Sequence, residues 1–220
     1  VKYPEGHLYE ALYAKYIHKR PVTDLLGRAG DIDDKRVLDL CCGTGRLLKG
    51  CVARGATVTG VDSCLGMIGE LTDWVSANSP DSTIYACTVE SYLLYCSAHR
   101  VKYDVVFCRQ AVNYWLNLEK AELLARSVVP GGLFIFNTFS NKPSEIPVVK
   151  EYEYRGHHFV EMSWLVDGMV HHVQVRDGLP PHTTSFMWIS PDSFFQILSP
   201  YFDLHVDTDD RTTVYVCTRR

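Results

Sequence analysis

Three absences narrow this 220-residue chain before any motif is read. No apolar run reaches the length that carries a helix across a bilayer, so a helical membrane protein is not expected. No Lys/Arg block appears, and 22 basic residues stand against 26 acidic ones for a net charge of −4, so the electrostatic footprint of a nucleic-acid binder is missing. None of the eight cysteines falls in a CxxC or in a Cys/His cluster with zinc spacing, which predicts reduced thiols and no metal. Cys41-Cys42, adjacent in sequence, would make a strained disulfide and read as small loop residues. The opening Val1-Lys2-Tyr3-Pro4 does not read as a signal peptide. Together with the reduced cysteines it points to a cytoplasmic protein.

What is present is apolar and patterned. A content of 46% hydrophobic residues is ample for one packed domain of residues 1–220. Tyr9, Leu12, Tyr13, Tyr16 and Ile17 recur at helical spacing over 5–18, and a second helix is expected around 21–29, giving an N-terminal helical cap over 1–30. Strand and helix then alternate: strands at 37–41, 57–61, 83–87, 103–108 and 133–138, helices at 45–54, 64–77, 90–98 and 117–128, with a turn at Val129-Pro130-Gly131-Gly132. Such alternation predicts an α/β fold with a Rossmann-like, seven-stranded, mostly parallel sheet and helices on both faces. After the fifth strand the texture changes. Lys150–Arg155, His158–Val166, Met169–Arg176 and Thr183–Ile189 read as consecutive strands, an antiparallel insertion over 141–190. Helix 191–199 and strands 201–207 and 212–218 close the chain.

The chemistry is concentrated in the first half. Val37 to Leu47 is an apolar strand that ends in an acid, breaks into the loop Cys41-Cys42-Gly43-Thr44-Gly45, and resumes as a helix. Val58-Thr59-Gly60-Val61-Asp62 is a second strand ending in a carboxylate, placed to accept hydrogen bonds from both hydroxyls of a ribose. A dinucleotide fingerprint wants a third glycine three residues after Gly45, where Leu48 stands, so pyrophosphate binding is the poorer reading.

These motifs resemble those of the class I S-adenosylmethionine-dependent methyltransferases over roughly residues 35–140. The resemblance implies S-adenosyl-L-methionine as cofactor, with Asp39, Cys41, Gly43 and Gly45 in the loop beneath its methionine part. Cys41 stands where the family's first glycine usually sits. Asp62-Ser63-Cys64-Leu65-Gly66-Met67 resembles the second motif, with Asp62 on the ribose, Ser63 beside it, and Met67 either on the adenine or in the core. Thr88 replaces the acid that usually meets the adenine amino group, Val89 offers its backbone N–H, and Glu90 is a cofactor contact or a helix N-terminal acid. An N-terminal tyrosine, taken as Tyr16, closes over the cofactor in related enzymes.

Strand four and its loop, Tyr103 to Trp115 with Cys108 at the strand end, face the transferred methyl in that family. Arg109 is an anion clamp for the acceptor or a surface cation, and Tyr114 and Trp115 wall the acceptor or join the core. The insertion resembles the one that covers the acceptor pocket in small-molecule N-methyltransferases acting on amino sugars and glycine. His157-His158 and His171-His172 lie in it. One of each pair must face inward, so His158 and His172 are the candidate bases.

The expected activity is methylation of a nitrogen or oxygen of a small-molecule acceptor. The rivals are an NAD(P)-dependent oxidoreductase, a non-catalytic binding module, and a protein or tRNA methyltransferase, the last excluded by a closed pocket. Oligomeric state is open.

Overall fold

The computed structural model of the protein describes residues 5–19, 23–139, 141–208 and 212–220. Helices α1 (Gly6–Leu12), α2 (Ala14–Lys19) and α3 (Thr23–Arg28) come first. Residues 1–4 and 20–22, which the sequence reading placed at the head of the chain and the start of its second helix, lie outside the described residues. The single helix expected over 5–18 is two, parted at Tyr13, whose hydroxyl bonds Nδ1 of His182 at 2.9 Å.

The alternating core follows in chain order: β1 (Arg36–Leu40), α4 (Arg46–Val52), β2 (Thr57–Asp62), α5 (Leu65–Asn78), β3 (Thr83–Ala86), α6 (Val89–His99), β4 (Tyr103–Arg109), a 3₁₀ turn at Val112–Tyr114, α7 (Leu118–Arg126) and β5 (Val128–Phe139). The insertion is β6 (Val148–Tyr154), β7 (His157–Val166), β8 (Met169–Arg176) and β9 (His182–Met187); α8 (Pro191–Leu198), β10 (Phe202–Thr208) and β11 (Thr212–Arg219) finish the chain. Side chains cap the later helices where the sequence offers them. Thr88 accepts from Ser91 N–H, Asn117 from Lys120 N–H and Ser190 from Ser193 N–H.

The seven strands pair in the order β10-β11-β5-β4-β1-β2-β3, with β1 to β5 parallel and β11 antiparallel to both its neighbours. Period-2 alternation divides each central strand between two cores. Val37, Val105, Phe107 and Ile135 pack with Leu25, Leu48, Leu71 and Val75 of α3, α4 and α5. Leu38, Leu40, Val106, Phe134, Phe136 and Tyr215 pack with Tyr92, Leu93, Leu124 and Phe194 of α6, α7 and α8. Helices therefore cover both faces. The insertion forms its own sheet in the order β6-β7-β8-β9.

The expected turn at 129–132 is instead an irregularity inside β5. Tyr103 pairs with Val128 and Val105 already with Leu133, so Pro130-Gly131-Gly132 loops out of register. Gly131 takes φ +75°, and a Cβ on Gly132 would meet the Asp104 carbonyl at 2.8 Å. Among the described residues no helix is long and apolar enough to cross a membrane.

Tyr215 sits at the centre of the second core. It is fully buried, its ring stacks on Phe136 at 4.6 Å, and its hydroxyl has no partner among the described residues. A buried unsatisfied hydroxyl costs about 1–3 kcal/mol. Tyr215→Phe keeps the ring and removes that cost. The urea midpoint is expected to rise, by about 1 kcal/mol of stability with unchanged m; a fall would show that the hydroxyl is satisfied in solution.

Candidate functional site

Strand order reverses between β1 and β4, and the chain leaves the carboxyl ends of these neighbours in opposite directions, which opens a crevice above the sheet. A cavity of about 1800 Å³ fills it. Its floor is the loop after β1, the acid end of β2 and the loop after β4. Tyr9, Tyr13 and Tyr16 of the N-terminal helices and the inner face of the insertion also line it.

Asp62 organises the floor. Its Oδ2 accepts the Gly43 N–H and its Oδ1 the Cys64 N–H, both at 2.9 Å, so the carboxylate ties the first loop to the start of α5. Burial raises its pKa, and the backbone N–H groups of Cys64, Gly43 and Ser63 pull it back. Cys41 adopts φ +57°, the left-handed region that L residues enter at about 1–2 kcal/mol, which explains why glycine is the usual occupant. Gly43 has φ +53°, and a Cβ there would meet Met67 Cε at 3.1 Å. Gly45 was expected to serve close approach of a ligand. It does not line the cavity, and its Cβ would fall 2.2 Å from Leu71 Cδ1, so its glycine answers to α5 packing.

Other expected cofactor positions divide similarly. Ser63, Met67, Val89, Thr88 and Glu90 line the cavity, with Thr88 occupied as the α6 cap and Glu90 ion-paired to Lys120 at 3.3 Å. Cys108 does not line it. It is fully buried and accepts the Trp115 indole N–H at 3.4 Å.

Two groups that the sequence reading passed over or left general define one end of the cavity. Asp39 is buried with Oδ2 lacking any partner among the described residues. Arg46, at the first position of α4, donates Nη2 to the Ile17 carbonyl at 2.9 Å and leaves Nη1 buried without a partner among the described residues. An orphan acceptor and an orphan donor of opposite charge on one cavity fit a zwitterionic amino-acid head group, and Asp62 at the end of β2 fits a vicinal diol. Arg109 also lines the cavity, and its charge acts on Asp39 and on the partly buried Tyr9. That places it beside the Asp39 end.

The remaining wall belongs to the loop after β4 and to the insertion. Tyr114 packs edge-on against Phe186 at 5.4 Å. Asn113, absent from the expected set, donates to the Met187 carbonyl and accepts from Thr138, each at 2.9 Å, and so fastens this loop to the insertion. His172 lines the cavity, and burial lowers its pKa while Glu161 and Gln174 oppose that shift. His171 faces the other way, stacked on Trp164. His158, the other expected base, lies outside the cavity. It is exposed beside Glu151 at 3.6 Å, because strand parity gives the inward positions of β7 to Phe159, Glu161 and Leu165. Tyr16 reaches the insertion, where its hydroxyl donates to Glu161. Among the described residues no group of three His, Cys, Asp or Glu is placed to hold a metal ion.

A family profile described as a methyltransferase domain matches residues 13–185. The chain is 32% identical over 115 residues to a ubiquinone biosynthesis O-methyltransferase of Klebsiella pneumoniae (strain 342), covering 51% of this chain and 46% of that protein. It is 33% identical over 121 residues to the enzyme of the same description from Serratia proteamaculans (strain 568), covering 53% and 47%. The chain thus spans about half the length of the curated relatives it matches. Among solved structures it superposes on an S-adenosylmethionine-dependent methyltransferase from Clostridium acetobutylicum with a TM-score of 0.71 at 16% identity, covering 97% and 96% of the two chains. An S-adenosylmethionine-bound amino pentose methyltransferase from Micromonospora echinaspora gives 0.73 at 15%, covering 97% of each. At such identities the likeness is one of fold.

The Asp39 carboxyl makes the ligand-free protein sensitive to pH. Burial pushes it up to about 7, against the Leu48 backbone N–H and Arg109, which pull it down. In the unfolded chain an aspartate titrates near ~3.9. Between about pH 4 and 7 the folded state therefore holds a proton that the unfolded state has lost, and this contribution to stability falls as pH rises. Asp39→Asn stays neutral throughout. Melting both ligand-free proteins at about pH 5 and pH 8 is expected to show the mutant gaining on wild type at the higher pH, by roughly 2–4 °C for each kcal/mol. An equal difference at both pH values would mean that Asp39 is ionised throughout.

Proposed function

The chain belongs to the methyltransferase-domain family, and from that premise we propose that it moves a methyl group from S-adenosylmethionine to a nitrogen or oxygen of a small-molecule acceptor. The observation that carries this reading is the pair of buried orphans, Asp39 Oδ2 and Arg46 Nη1, on the same cavity as Asp62. In this reading Asp39 takes the α-ammonium of the methionine part and Arg46 its carboxylate, with Arg109 adding positive potential. Asp62 takes the ribose hydroxyls, while Met67 and Val89 flank the base. A pyrophosphate would need cradling donors where Leu48 is fully buried in the sheet-to-helix core, which disfavours a nicotinamide cofactor.

The bound cofactor supplies a methyl already activated on a sulfonium, so the protein's part is orientation and exclusion of water. Tyr9, Tyr13 and Tyr16 line the cavity with the insertion, an enclosure that favours a small acceptor over a folded protein or tRNA. Tyr114 and Phe186 wall the acceptor, and His172, held toward its neutral form by burial, is placed to accept a proton from it.

Two measurements test this reading. S-adenosylhomocysteine is expected to raise the melting temperature and NADH to leave it unchanged; stabilisation by NADH alone would sink the proposal. Arg46→Ala is expected to weaken S-adenosylhomocysteine about tenfold or more by calorimetry, as loss of a charge-assisted contact does. The same change should leave 5′-methylthioadenosine, which lacks the amino-acid part, within about twofold. Equal losses for both ligands would remove Arg46 from the carboxylate.

A further inference from the structure

The insertion carries a buried charge that the reading above leaves unused. Glu161, on the inner face of β7, is 5% exposed and lines the cavity. One of its oxygens accepts the Tyr16 hydroxyl and the other the Tyr152 hydroxyl, the latter at 2.5 Å. Both donors are neutral. Among the described residues Glu161 forms no ion pair. The ammonium of Lys15 instead lies over the Tyr152 ring, 3.4 Å from its centroid.

Lys150, opposite Glu161 in register across β6 and β7, also lines the cavity, but among the described residues it makes no ion pair with Glu161. Gln174, wholly buried and paired in register with Glu161 across β7 and β8, donates to the Tyr152 hydroxyl at 3.4 Å and leaves its Oε1 without a partner among the described residues. His172 follows on the same face of β8, and the ring of Tyr13 lies 6.3 Å from it. Two phenol hydrogen bonds relieve a buried carboxylate only in part, and full compensation requires a cation. Each oxygen of Glu161 keeps a free lone pair, and the phenol rings around it present the electron-rich surfaces that cations favour.

We propose that Glu161 is the docking point for a positively charged nitrogen of the acceptor, so that the acceptor is an amine bound as its ammonium ion. This deepens the methyltransferase reading and rests on it. A neutral phenol would gain less at this carboxylate, and an acidic acceptor would be repelled.

The test uses matched probes with S-adenosylhomocysteine bound: tyramine against 4-ethylphenol, cyclohexylmethylamine against cyclohexylmethanol, and glucosamine against glucose. By calorimetry at about pH 7, the ammonium member of at least one pair is expected to bind about tenfold tighter than its neutral partner. Glu161→Gln should bring that pair to within about twofold. Tyr152→Phe, which strips one hydrogen bond from the carboxylate without touching its charge, should widen the preference. That variant carries the test if Glu161→Gln does not fold. No ammonium preference in any pair, a preference surviving Glu161→Gln, or one that fails to widen in Tyr152→Phe would overturn the proposal. Failure of S-adenosylhomocysteine to bind wild type would instead sink the methyltransferase reading. Its binding without an ammonium preference would sink only the role of Glu161.

Discussion

The carboxylate of Asp62 holds the site together. By accepting the N–H groups of Gly43 and Cys64 it joins the loop after β1 to the turn that starts α5. That junction sets the left-handed backbone of Cys41 and Gly43, the path into α4, and so the position of Arg46. The loop cannot be rearranged without stripping two backbone donors of a charged acceptor, and such hydrogen bonds are among the stronger ones in proteins. The same tie keeps the floor of the cavity shaped in the absence of ligand, which lowers the ordering cost of binding.

The cavity is electrostatically divided. Around the loop after β1, the buried Asp39 and the buried Nη1 end of Arg46 each offer a group unsatisfied among the described residues, and Arg109 adds a second positive charge beside them. Under the insertion the buried carboxylate of Glu161 accepts hydrogen bonds from two phenols, with Lys150 opposite it in register. The N-terminal helices bridge these regions. The Ile17 carbonyl accepts from Arg46, Tyr16 donates to Glu161, and the Ala11 carbonyl accepts from Arg176 at 3.3 Å. The polypeptide that contacts Arg46 is thus also the one that reaches Glu161 in the insertion.

The sheet was legible in the sequence because its signals are local. Val37 to Leu40 is a buried strand by composition, Asp62 ends a strand by position, and parity divides Val105 from Val106. The loop after β1 was legible for the same reason, although Gly45 owes its identity to Leu71 in the next helix, a contact no short window contains. Glu161 was not legible. It looks like an ordinary strand acid until pairing brings Tyr16, 145 residues distant, onto it. Parity required one histidine of each pair to face inward, but register and strand ends decided the result. His172 falls on the inner face with Val170 and Gln174, whereas His158 shares its outward side with Val160. Arg46 is not singled out by the sequence, since nothing local shows that one of its nitrogens is buried without a partner among the described residues.

The cysteines that line this cavity bear on its chemical selectivity. A thiolate attacks an electrophilic methyl more readily than most amines or alcohols, and Cys41, Cys42 and Cys87 all border the space assigned to the donor. Their thiols are held protonated. Cys41 is raised by its contact with Cys108 and by burial, Cys42 by burial and the acids Asp39 and Asp62, and Cys87 by burial. A protonated thiol is a poor nucleophile at neutral pH. On the proposed reading, the packing that closes the floor therefore also keeps these thiols from competing with the acceptor for the methyl.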